Sequence, residues 1–124
     1  MPAQPTFRNQ GSMSQFVGPF EVSSSLTDDT RHVRFSHLWN AISTRHSDTV
    51  DTKFFVDGRG VIVALAHPAL VRFAAASGRN LTDREASYVA AEYLRSRLQE
   101  DDERPLYQVT ADEVVSLIQR LGIA

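Results

Sequence analysis

The sequence predicts an α+β fold: a small antiparallel or mixed sheet that includes a central β-hairpin, packed by three to four helices, with a helical C-terminal half. Three observations carry that reading. Two runs rich in β-branched and aromatic residues, Thr52–Val56 and Val61–Leu65, flank the turn sequence Asp57-Gly58-Arg59-Gly60. Two capping-box patterns, Thr82 with Glu85 and Thr110 with Glu113, each open a stretch of apolar residues at helical spacing. The composition is that of one globular domain, 124 residues with 42% hydrophobic and 23% charged, enough for a single core that buries roughly 65% of the unfolded surface.

The elements follow in chain order. Residues 1–16 are rich in Gln, Ser, Pro and Gly without periodicity and read as a flexible arm ahead of a single domain at 17–124. Met13, preceded by Gly11-Ser12, is a candidate alternative start, which leaves open whether residues 1–12 are native. Phe20-Glu21-Val22-Ser23 alternates apolar with polar, Thr27–Thr30 supplies a polar turn, and Val33 and Phe35 alternate again, so two short strands are expected. Leu38, Trp39 and Ile42 fall at helical spacing behind Ser36, a candidate N-cap, which predicts a short helix to about Arg45. After the hairpin, Pro68 suits a first helical turn, Leu70, Phe73 and Ala74 share a face, and Gly78 is placed to end a short, well-buried helix.

From Thr82 a long helix presents Ala86, Val89, Ala90, Tyr93, Leu94 and Leu98 as one apolar stripe, with Glu92, Arg95, Ser96 and Gln99 on the other side. Tyr88 falls outside that stripe, at the core edge. The acidic run Glu100–Glu103 reads as a solvated boundary. Leu106–Val109 forms a short strand, and the last helix shows Val114, Leu117, Ile118 and Leu121 at core spacing before Gly122.

Composition removes several chemistries. Without cysteine there is no disulfide framework, thiolate metal cage or thiol nucleophile, and a cytoplasmic location fits best. No apolar run is long enough to span a membrane, so no membrane partner is expected. A net charge of −2 is far from the basic balance of a protein that lives on phosphate backbones. The acidity is C-terminal, while residues 51–80 carry four basic and two acidic side chains.

The candidate sites are correspondingly few. His67, between a buried strand and a helix N-terminus, is placed with Arg72 or Arg79 to hold an anionic ligand; the plainer reading has it cap that helix or pack at its mouth. His37 and His46 with Asp48 and Asp51 offer two imidazoles and two carboxylates to a metal, at a spacing that fits no known motif, so no cofactor is expected. Lys53, Arg59, Arg72 and Arg79 form a net-positive middle segment for nucleic acid. The glycines at 58 and 60 lack the spacing of a phosphate-binding loop, and Ser23–Ser25 lacks the pattern of an activated nucleophile. Leu81-Thr82-Asp83-Arg84-Glu85 resembles the opening of the helix-turn-helix domain of LuxR-type regulators, which would imply DNA binding. The match ends after about five residues, Ala90–Leu94 runs through the place where that family needs a turn, and a capping box accounts for the same letters.

The expected function is a noncatalytic interaction or regulatory module with an unknown protein partner, and an uncovered sheet edge or spare apolar face would favour a homodimer. Nucleic-acid binding through the middle segment and a small metal-dependent enzyme using the His and Asp residues are the alternatives.

Overall fold

The computed structural model describes residues 15–42 and 48–124. Five strands, β1 (Phe20–Ser23), β2 (Thr30–Ala41), β3 (Thr49–Val56), β4 (Arg59–Ala66) and β5 (Leu106–Val109), lie side by side in the order β1-β2-β3-β4-β5. The first four form an antiparallel meander, and β5 joins β4 in parallel. Helices α1 (His67–Ser77) and α2 (Asp83–Gln99) make the crossover from β4 to β5, and α3 (Ala111–Arg120) follows. The expected α+β class, the hairpin and the helical C-terminal half are thus present, with a mixed sheet and three helices among the described residues. Among the described residues no helix is long and apolar enough to cross a membrane.

The hairpin turns at Asp57-Gly58, where both residues adopt positive φ, 49° and 83°; glycine takes this at no steric cost and aspartate is among the residues that tolerate it. Asp57 earns its place a second way, since its carboxylate accepts the amide of His32 at 2.9 Å and its own amide donates to the His32 carbonyl. Both capping boxes are complete, with Thr82 and Thr110 each accepting the N3 amide.

The short helix expected behind Ser36 is not formed: β2 continues as strand to Ala41, and residues 43–45 of that expected helix lie outside the described residues. A register shift falls between Phe35 and His37. Before it, Val33 and Phe35 face the helices; after it, Leu38 does, opposite buried Thr52. Trp39 faces the opposite side, as strand alternation requires, and Ile42 lies exposed past the end of β2, so the three residues at helical spacing share no face.

All three helices pack on one face of the sheet. Phe20, Val22, Val33, Phe54, Val56, Val61, Val63 and Leu65 meet Ala69, Phe73, Leu94, Leu98, Val114 and Leu117 in one core. α1 is less buried than expected, contributing only Ala69 and Phe73, because it packs chiefly against α3 at the rim and leaves Val71 exposed. α2 is more buried than its stripe implies. Ser87 accepts the amide of Val17 at 3.1 Å, Tyr88 is core, and Glu92 is 2% exposed, where it receives Arg95 at 2.6 Å and Arg120 of α3 at 3.3 Å.

The acidic run is not a solvated boundary either. Arg31 of β2 binds Asp101 at 3.0 Å and Glu103 at 2.9 Å, Arg59 of β4 also binds Glu103, and Arg97 and Arg104 bind Asp102. Ser24 donates to Asp101 at 2.8 Å while accepting the amides of Leu26 and Thr27, so the serine run ties the β1–β2 turn to the end of α2. The Asp101 carboxyl is accordingly held below the usual carboxylate range by Ser24 and then by Arg31. Residues 1–14 of the expected arm lie outside the described residues, and Phe16 at its end stacks on Phe35 with ring centroids 5.3 Å apart.

Candidate functional site

Strand alternation gives the sheet a second face, and among the described residues no helix packs on it. The register sets its side chains in rows across the strands. One row is Trp39, Asp51, Ala64 and Gln108; the next is His37, Lys53, Ile62 and Leu106. Ala41, Thr49 and Ala66 flank the first, and Arg34, Phe55 and Gly60 flank the second. Ala64 is buried between Asp51 and Gln108, Phe55, Ile62 and Lys53 are half-buried, and Trp39 and Leu106 are 36% and 47% exposed.

The charges of this face differ from those elsewhere. The Arg34 guanidinium lies 4.4 Å from the centroid of Phe55 and the Lys53 ammonium 5.3 Å from it, so two cations share one ring. Neither has a carboxylate partner among the described residues, whereas eight arginines, from Arg31 to Arg120, are held in ion pairs. Asp51 is engaged by the Thr49 hydroxyl at 2.6 Å, and the rings of His37 and Trp39 stack at 5.1 Å. Toward the hairpin turn the face dips into a shallow cleft of about 390 Å³ lined by Phe55, Arg34, His32 and Glu21; His32 and Glu21 meet at 3.1 Å.

The residues singled out in the sequence separate in space. Of the proposed nucleic-acid set, only Lys53 stands on the open face. Arg59 is bound to Glu103, Arg72 to Asp112 at 2.9 Å, and Arg79 to Glu85 at 2.8 Å and to the Ala124 carbonyl at 2.7 Å. His67 does not cap α1, whose N-cap is Ala66 without a side-chain bond; its amide donates to the Asp48 carbonyl at 2.9 Å. Its ring borders a cleft of about 480 Å³ with Asn40, Asn80, Thr82 and Asp83 above an apolar floor, and neither Arg72 nor Arg79 lines that cleft.

Of the metal set, His37 and Asp51 share the open face on neighbouring strands, Asp48 lies just before β3, and His46 lies outside the described residues. Among the described residues no group of three or more His, Asp or Glu is placed to hold a metal ion. Trp39, Phe55 and Arg34 were not singled out for function, and their signal was readable only in part. Phe55 next to Phe54 in an alternating strand must put one ring on each face.

The fold and site define an open-faced α+β sheet module. The chain matches no protein-family model, no curated protein and no solved structure.

Proposed function

We propose that this chain is a noncatalytic binding module of the cytoplasm whose recognition surface is the open face of the sheet. The observation that carries this is the cluster of Arg34, Phe55 and Lys53 on the face that also bears Trp39: among the described residues these cations have no carboxylate partner and no helix covers the face. Tyr, Trp, Phe and Arg dominate the energetics of recognition surfaces, because they bury large area and keep a polar handle. Apolar side chains gathered on one exposed surface mark a place where something docks.

The test is native mass spectrometry on the full chain purified gently from its source, wild type beside the triple variant Arg34→Ala/Lys53→Ala/Trp39→Ala. A helix-side control, Arg72→Ala/Arg120→Ala, accompanies them. The expected result is added mass, whether a second subunit or another molecule, that is lost in the face variant and kept in the control. A bare wild-type monomer, or a loss that follows the control, overturns the reading.

A second reading, single-stranded nucleic acid on the same face, draws support from the same cluster, since bases stack on aromatic side chains while cations track phosphates. Its signature is affinity that falls with salt.

A further inference from the structure

We infer that the occupant of the open face is a second copy of this chain, docked about a twofold axis that runs across the strands between the Asp51 row and the Lys53 row. This rests on the reading of that face as the recognition surface. Two identical sheets stacked face to face by a twofold rotation have the axis in the plane between them, so each side chain meets the residue that stands equally far on the other side of the axis. With the axis between these rows, every strand lies over its own copy and the two sheets stay aligned, as stacked sheets prefer.

The central pairs this produces on β2, β3 and β4 are complementary, while at the margins Leu106 falls opposite Gln108 and Arg34 opposite Ala41. Lys53 faces Asp51 of the second copy, and Asp51 faces its Lys53. Within one chain neither forms an ion pair among the described residues, although they stand on the same face of the same strand two residues apart. His37 meets Trp39 of the second copy, extending the stack each chain already makes. Bulk also alternates at the centre: Ile62 falls opposite Ala64 and Phe55 opposite Thr49, with the small pair Gly60 and Ala66 beside the latter. Large against small is what lets two inner faces interdigitate.

Other arrangements lose this. An axis along β3 sets Lys53 on Lys53 and Asp51 on Asp51, and like charges in contact oppose docking. The two central rows carry one lysine and one aspartate, a balance that suits a self-complementary partner better than a polyanion.

The experiment is charge reversal followed by double reversal, read by sedimentation velocity on the full chain over a dilution series, with circular dichroism to confirm folding. Wild type is expected to dimerise. Lys53→Asp and Asp51→Lys should each weaken the dimer about a hundredfold or more, because every dimer holds two such pairs. The double variant Lys53→Asp/Asp51→Lys, in which opposite charges face each other again, should recover to within about tenfold of wild type. Three results overturn the inference: a wild-type monomer at every concentration, a dimer indifferent to both reversals, or single losses that the double variant fails to repair. If the wild-type subunit is monomeric but carries another molecule that either reversal releases, the second copy is refuted and the open face stands. A dimer indifferent to both reversals and to Trp39→Ala refutes both.

Discussion

Tyr107→Phe removes one oxygen from the point where the turn after α2 is closed. The Tyr107 side chain is buried, its hydroxyl donates to the Asp102 carbonyl at 2.5 Å and accepts the Arg104 amide at 2.9 Å, and its ring meets Tyr93 edge to face at 5.9 Å. Phenylalanine keeps the ring and loses both hydrogen bonds. Each is worth about 0.5–1.5 kcal/mol net, and because Arg104 is exposed its amide can turn to water, so the loss should total about 1–2 kcal/mol. At about 2.1 cal/mol/K of unfolding entropy per residue, a chain of this length should melt about 4–8 °C lower. Burial also pushes the Tyr107 phenol up. A group whose folded pKa is raised contributes stability below its unfolded value and loses it as pH rises through the folded value. The variant should therefore show a shallower loss of stability on the alkaline side. Urea unfolding followed by circular dichroism at neutral and alkaline pH measures both effects. A change below about 0.3 kcal/mol at neutral pH, with an unaltered alkaline limb, would refute the role given to this hydroxyl.

Three further outcomes are expected. Thr82→Ala and Thr110→Ala should each cost about 1 kcal/mol in thermal unfolding, and the double variant should cost their sum, because the two caps share no partner. Phe54→Ala should cost about 3–5 kcal/mol and Phe55→Ala about 1 kcal/mol in urea titrations, since only Phe54 reaches the core; equal costs would mean that the second face is not open. Arg79 holds the Glu85 carboxyl below the usual range, so its contribution is present above the ordinary carboxylate pKa and disappears as pH falls through the lowered one. Glu85→Gln should flatten the acid limb of the stability profile, and an acid limb as steep as wild type would count against that ion pair.

Much of the fold was legible because local signals and tertiary placement agree. The hairpin turn, both capping boxes and the short strand before α3 are written in contiguous residues, and each forms where its letters lie. The second half of β2 reads as helix because the alternation breaks at the register shift between Phe35 and His37 and Leu38, Trp39 and Ile42 then meet helical spacing by coincidence, although pairing with β3 puts Leu38 and Trp39 on opposite faces. Glu92 and the acidic run were placed in solvent because their arginine partners, Arg120, Arg31 and Arg59, lie 28 to 72 residues away in the chain. Only packing reveals that kind of pairing. The open face was illegible for a similar reason: Arg34, Lys53 and Phe55 sit on two strands, and nothing in either strand states that the helices all pack on the other side.

The chain has a single tryptophan, Trp39, and it stands on the open face. Its fluorescence quenching by acrylamide, followed from dilute to concentrated protein, therefore reports directly on whether that face is covered. The quenching should fall and the emission shift to the blue as concentration rises, and both changes should vanish in Asp51→Lys. Equal quenching at every concentration, in a protein shown by sedimentation to have become dimeric, would place the contact elsewhere and contradict the open face as the recognition surface.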